Sequence, residues 1–394
     1  MLLGLVGKPS AGKSTFFSAA TLIDVEIAAR PFVTIKPNQG TGFVSTDCVH
    51  KEMNVVCEPQ NSKCVQGKRM IPATLLDVGG LIEGSWRGKG IGNQFLNELM
   101  RASALIHVLD VSGTTDAEGK PCSLHDPAID VGFLESEIDY WVKGILSKNW
   151  EKIAKQASAT KQVVEIIAKQ LSGLGISEEQ VKDVLEKHGF GEKPGYWEEE
   201  EVLRFASEIR KKSKPMLIAA NKIDVKGAKE NIERLRKEFP EHLFVPCSAE
   251  SELALRKASK AGIIEYFPSS SDFTVLQQPN EKQKKALDFI KENVLNAFGS
   301  TGIQEAINKT AFGLLQMITV YPVEDSNKLC SGKGHVLPDA FLVKQGATAI
   351  DLAGTIHSSF PERFVAAIDC KTRKKLGKET ELKNNDVIKI QLRN

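Results

Sequence analysis

The chain has 394 residues, 41% of them apolar and 26% charged, with a net charge of +2. That length calls for two or three domains, and the composition is that of a soluble globular protein rather than a disordered or fibrous one. The near-neutral balance excludes a generic polyanion binder, no apolar run reaches the length of a membrane span, and seven scattered cysteines point to a reducing, cytoplasmic setting.

Leu2 to Val6 reads as a buried strand. It is too short for a span and lacks the basic region and cleavage site of a signal peptide. It feeds into Gly7-Lys8-Pro9-Ser10-Ala11-Gly12-Lys13-Ser14, which fits G-x-x-x-x-G-K-[ST], and an apolar helical stretch, Phe16 to Ile23, follows. Strand, glycine loop and helix are the context that a phosphate-binding loop needs. Backbone N–H groups from Gly7 to Thr15 would turn inward at phosphate oxygens, aided by the positive end of the helix dipole. Lys13 would reach the β- and γ-phosphates, and the Ser14 hydroxyl would ligate Mg²⁺.

Arg30 to Gly40 carries two prolines and a glycine and reads as a loop. Its Thr34 sits where a nucleotide switch places the threonine that completes the Mg²⁺ shell and senses the γ-phosphate. Strands are expected at Gly42-Phe43-Val44, Asn54 to Cys57 and Ile71 to Leu76. The last ends in Asp77-Val78-Gly79-Gly80. Asp77 is the second expected Mg²⁺-holding group, and the Gly80 N–H could contact the γ-phosphate. Six glycines between Gly79 and Gly92 make the following segment permissive, as a second switch must be. A helix over Asn93 to Arg101 and a buried strand over Ala104 to Asp110 complete this part.

Residues 112–213 break the α/β rhythm with helical stretches over Asp126 to Asn149, Trp150 to Ser172 and Trp197 to Lys212, which read as an inserted subdomain. Its aromatics, Trp141, Trp150, Tyr196 and Trp197, are expected to pack. A strand over Pro215 to Ala220 ends in Asn221-Lys222-Ile223-Asp224. The Asp224 carboxylate could accept two hydrogen bonds from the N1–H and N2–H₂ groups of guanine, a donor pair that adenine lacks. Lys222 would lay its stem along the base. A helix, Lys226 to Phe239, and a strand, His242 to Pro246, lead to Cys247-Ser248-Ala249, where the backbone of Ser248 and Ala249 would face the guanine O6.

The ordered set GKPSAGKS, PFVTIKPNQG, DVGGLIEG, NKID and CSA resembles the Obg/YchF-type family of translation-associated GTPases. Met317 to Asp325, Val336 to Ala340, Gly346 to Leu352 and Asp386-Val387-Ile388 resemble a TGS domain, a ubiquitin-like β-grasp module shared with threonyl-tRNA synthetases. The resemblance implies an α/β P-loop G domain with a mainly parallel sheet (1–111 and 214–268), a helical insertion (112–213), a helical connector packed on the G domain (269–317) and a β-grasp domain (318–394). It implies GTP and GDP as ligands, Mg²⁺ as cofactor, and a switch acting on ribosomes or structured RNA. Ser10 replaces the asparagine that often helps to hold a monovalent cation in the family, which counts against potassium. Where many switch GTPases carry a water-orienting glutamine, this chain has Leu81, which predicts slow hydrolysis. Two other readings stay open: a GTP-loaded module that tethers a protein partner through the insertion, and an ATPase like some YchF-type relatives, against which NKID speaks.

Cys48, His50, Cys57 and Cys64 fall within seventeen residues and could supply a zinc site, although C-x-H-x₆-C-x₆-C departs from paired knuckles. Small buried cysteines on strands are the plainer reading, and a Cys57–Cys64 disulfide is a third. Lys371 to Lys378 holds five positive charges in eight residues and is the expected contact for RNA phosphates.

Overall fold

The computed structural model describes residues 1–23, 38–87, 92–148, 150–160, 162–191 and 194–393. The strands are β1 (Leu2–Val6), β2 (Asn38–Asp47), β3 (Lys63–Val65), β4 (Lys68–Asp77), β5 (Ala104–Asp110), β6 (Met216–Asn221), β7 (Leu243–Cys247), β8 (Ile264–Glu265), β9 (Thr274–Val275), β10 (Met317–Val323), β11 (Phe341–Lys344), β12 (Phe364–Asp369), β13 (Lys375–Leu376) and β14 (Asp386–Leu392). The chain forms two compact units. Among the described residues no helix is long and apolar enough to cross a membrane.

The larger unit holds residues 2–40 and 74–306. Its sheet runs β4-β1-β5-β6-β7, with all these pairs parallel. Every residue of β5 and β6 is buried, which is why both strands read as mainly apolar runs. β1 lies between β4 and β5. The chain therefore leaves β1 toward one side of the sheet and later returns to its other side. In open parallel sheets the ligand crevice falls at the carboxyl ends of the strands where the winding reverses. Asp77, Asp110, Asn221 and Cys247 are the last residues of β4, β5, β6 and β7.

The insertion is helical over Pro127–Ser147, Trp150–Thr160, Val163–Leu171, Glu178–Lys187 and Glu199–Ser213. It has no separate core. Leu134, Ile138, Val142 and Phe205 join Val6, Leu76, Leu96 and Leu105 in one apolar cluster. Trp141 and Trp197 are buried there, but Tyr196, expected to pack, is 79% exposed.

The smaller unit holds residue 1, residues 41–73 and residues 307–394. Its five-stranded sheet runs β11-β10-β14-β12-β13. β10 and β14 are parallel and the other pairs antiparallel, with the helix Ala349–Ile356 between β11 and β12. Two expectations change here. Residues 41–73, assigned above to the first part of the G domain, group with this unit, because Cys48, Val49 and Ile71 share a core with Tyr321, Leu337 and Val387. Residues 54–57, expected as a strand, are irregular, and Val56 is 84% exposed. An apolar pair of valines reads as a strand only while a neighbour is assumed to hydrogen-bond it. The helical connector is also interrupted: Lys291–Leu295 and Lys309–Leu314 are π-helical, and Met317 opens β10.

Candidate functional site

The loop after β1 is shaped for an anion. Gly12 has φ +98°, and a Cβ there would come within 2.2 Å of Asn221 Nδ2. A side chain is therefore excluded twice, by backbone conformation and by space. The helix Lys13–Thr21 starts immediately after it. Lys13 is buried, and its Nζ donates to the Lys8 carbonyl at 2.8 Å. Burial lowers its pKa to about 8, opposed by the Asp77 carboxylate. An arriving phosphate would restore the full positive charge. Ser10 is exposed, Ala11 and Thr15 are buried, and Pro9 backs onto Gly80, where a Cβ would meet Pro9 at 2.8 Å. Gly80 therefore permits a close approach between the two loops.

Ser14 Oγ donates to Asp77 Oδ2 at 2.8 Å. Asp77 is fully buried, and its Oδ1 finds no hydrogen-bond partner among the described residues. Burial pushes this carboxyl upward against the pull of Lys13, Ser14 and the Asn38 side chain. An orphaned carboxylate oxygen beside a serine hydroxyl is an oxygen donor set that fits Mg²⁺. Thr34, the third expected ligand, lies outside the described residues.

The base end is tied to the phosphate end by Asn221. Its Nδ2 donates to the Ala11 carbonyl at 2.9 Å, and its Oδ1 accepts from the Ala249 N–H at 3.0 Å. One amide therefore registers the phosphate loop against the Cys247-Ser248-Ala249 turn. Ser248 Oγ donates to Asp224 Oδ1 at 2.7 Å and accepts from the Ser251 N–H at the start of the helix Ala249–Lys260. This bond orients the half-buried carboxylate. Lys222, at φ +68°, points its Nζ to Asp110 Oδ2 at 2.7 Å.

Asp110 was not singled out from the sequence. It is buried and accepts from Ser112 Oγ at 2.5 Å and Thr115 Oγ1 at 2.6 Å. Burial pushes its pKa up, but Lys222, Ser112 and Thr115 outweigh that and hold it below the usual carboxylate range. Its signal was an acid at the carboxyl end of a largely apolar strand, the same signal that marked Asp77.

Two further contacts were missed. The Lys8 ammonium is buried, 2.9 Å from Asp130 Oδ2 and bonded to the Thr115 carbonyl at 2.6 Å, while Asp130 Oδ1 meets His125 Nε2 at 2.9 Å. Glu137 accepts from the Gly84 and Trp86 N–H groups at 2.8 and 3.0 Å. Both acids lie on the helix Pro127–Ser147, so the insertion grips both the phosphate loop and the segment after Gly80. Asp130→Asn would leave the Lys8 charge facing a neutral amide. We expect a stability loss of about 1–3 kcal/mol, read from denaturant midpoints. An unchanged midpoint would show that the ion pair contributes nothing net.

Leu81 is 1% exposed, inside the core, and its N–H donates to the Gly7 carbonyl at 3.2 Å. Arg87 is exposed and lies over the Trp86 ring at 4.6 Å. Cys48, His50, Cys57 and Cys64 belong to the smaller unit, where their ligand atoms all lie within 4.8 Å of one another.

Three family models match the chain: a 50S ribosome-binding GTPase over residues 2–129, an Obg-like, YGR210-like G4 motif-containing domain over 219–325, and a TGS domain over 333–391. A GTP-binding protein of Methanocaldococcus jannaschii is 49% identical over 99% of this chain and 98% of its own length. The ribosome-binding ATPase YchF of Bacillus subtilis is 26% identical over 92% of this chain and 87% of its own. The crystal structure of a GTP-binding protein from Pyrococcus horikoshii OT3 is similar over the whole of both chains, with 42% identity and a TM-score of 0.81.

Proposed function

The chain belongs to the Obg/YchF-type family of P-loop GTP-binding proteins, and from that premise we propose a GTP-selective switch with slow Mg²⁺-dependent hydrolysis that acts on ribosomes or structured RNA. The observation that carries guanine selectivity is the Asp224 carboxylate at the end of NKID, held by Ser248 in a pocket registered by Asn221. Phosphates would lie in the cradle from Gly7 to Thr15. Lys13 would neutralise the charge that develops on the transferring phosphoryl group, assisted by the Gly80 N–H. Ser14, Asp77 and Thr34 would hold the Mg²⁺, which when bound would offset phosphate charge. Leu81, turned into the core, orients no water, so intrinsic turnover is slow and a partner supplies the missing group.

The name of the Bacillus subtilis relative supports the ribosome as partner and makes ATP the competing nucleotide. Single-turnover hydrolysis of GTP and of ATP, with and without ribosomes, tests this. Selective GTP turnover accelerated by ribosomes supports the switch. ATP preference, or hydrolysis that ribosomes leave unchanged, overturns the corresponding half.

For the ribosomal contact we propose the hairpin after β12. Lys371 is paired with Glu52 at 2.7 Å, and Arg373 with the Ser326 carbonyl and Asn327. Lys374 and Lys375 are exposed and lead the contact, with Lys378 beside them. Replacing Lys374 and Lys375 by Gln should weaken ribosome binding and flatten the log–log salt dependence by about one for each lost phosphate contact. Affinity and salt slope both unchanged in co-sedimentation would remove the hairpin.

A further inference from the structure

Residues 48–64 have little regular structure of their own. The helix His50–Met53 is four residues long, β3 is three, and residues 55–59 have no regular secondary structure. Yet this stretch is well docked within its unit. The Glu58 N–H donates to the Val336 carbonyl at 2.8 Å, and the Gln60 N–H to the Pro338 carbonyl at 2.7 Å. Asn61 bonds Ala340 through both halves of its amide. Ordering so irregular a segment needs a staple, because its backbone entropy is not recovered by a ladder or a helix.

The geometry points to a metal ion: we propose that Cys48, His50, Cys57 and Cys64 bind a structural zinc. Zinc bonds of about 2.3 Å to sulfur and 2.0–2.1 Å to nitrogen, at tetrahedral angles, place sulfur atoms about 3.8 Å apart and sulfur and nitrogen about 3.5 Å apart. In the structure Cys48 Sγ and Cys57 Sγ are 3.9 Å apart. His50 Nδ1 lies 3.4 Å from Cys57 Sγ and 3.6 Å from Cys64 Sγ. These three spacings match edges of such a tetrahedron rather than a covalent pair, and all three cysteines are free. Three soft sulfurs and an imidazole select zinc over magnesium or calcium, which take oxygen. Four protein ligands leave no open position for a reacting water, so the site is structural.

A second observation is independent of the ligand distances. Arg69 is fully buried. Its Nη atoms reach Ser62 Oγ and the Leu337 carbonyl at 3.0 and 2.8 Å, its guanidinium lies over the Tyr321 ring, and its Nε has no hydrogen-bond partner. No carboxylate pairs with it among the described residues, and an uncompensated buried charge is costly. Cys64 is its cross-strand partner in the β3–β4 pair. Three thiolates, one neutral imidazole and Zn²⁺ sum to −1, the counter-charge that Arg69 otherwise lacks.

The test is metal analysis of the reduced full chain, with cobalt(II) reconstitution of the chelated protein. We expect about one zinc per chain, and a cobalt spectrum with thiolate charge-transfer bands and strong tetrahedral d–d absorption. Cys57→Ser and Cys64→Ser should lose the zinc and the bands, whereas Cys122→Ser, in the other unit, should keep both. The wild-type cobalt spectrum decides the matter even if the serine variants fold poorly. Absence of zinc together with absence of thiolate-to-cobalt bands overturns the proposal, as does a stoichiometric disulfide among these cysteines in the freshly purified chain.

Discussion

Asp224→Asn should lower affinity for GTP by about 10²–10⁴-fold and raise affinity for xanthosine triphosphate. Guanine offers its N1–H and N2–H₂ donors side by side, and a carboxylate accepts both. Hydrogen bonds to a charged group contribute about 1.5–3 kcal/mol each, and 1.4 kcal/mol is tenfold, so losing the pair gives that range. The asparagine presents one acceptor and one donor. Its N–H₂ would confront the guanine N2–H₂, whereas xanthine carries a carbonyl there and accepts it. The Ser248 hydroxyl that donates to Asp224 Oδ1 at 2.7 Å can donate equally to an amide oxygen, so the side chain keeps its place and the change stays chemical. Competition of GTP, XTP and ATP against a fluorescent nucleotide reads the switch. GTP affinity unchanged in a folded variant would remove Asp224 from base recognition and with it the case against ATP.

How much of this was legible before folding depends on the span of each interaction. The phosphate loop, Asp77 at its strand end and NKID are local: each needs a strand, a tight turn and the next few residues, and periodicity supplies those. Asn221 was marked by its motif, but its work across 210 residues, bonding the Ala11 carbonyl, belongs to the folded sheet. Asp130 and Glu137 were invisible for the opposite reason. On a long helix with polar residues around it, a carboxylate reads as solvated face, and only the packing of Pro127–Ser147 turns these two toward Lys8 and the Gly84–Trp86 backbone. The cysteines show a third limit. Their sequence spacing fits no familiar knuckle because the ligands come from a strand end, a one-turn helix, an irregular stretch and a hairpin, whose meeting point no local pattern encodes.

Leu81→Gln should destabilise the protein by about 3–5 kcal/mol and leave turnover no faster. From sequence alone, the leucine looks like a missing catalytic side chain that glutamine would restore. In the structure it is 1% exposed and shares a core with Val6, Leu76, Leu96 and Leu99. Removing a buried leucine from that core forfeits about 1.5–3 kcal/mol of transfer free energy. Burying a carboxamide without partners adds about 1–3 kcal/mol. The Leu81 N–H is already spent on the Gly7 carbonyl, so the residue pins the segment after Gly80 against the start of the phosphate loop while its side chain faces away from water. Leu81→Met separates the two roles. It conserves volume and apolarity, so it should cost under about 1.5 kcal/mol and keep wild-type hydrolysis. A folded Leu81→Gln variant that hydrolyses GTP tenfold faster would show that this segment turns its side chain out to the phosphates during turnover. In that case the buried leucine is one end of a switch rather than a fixed wedge.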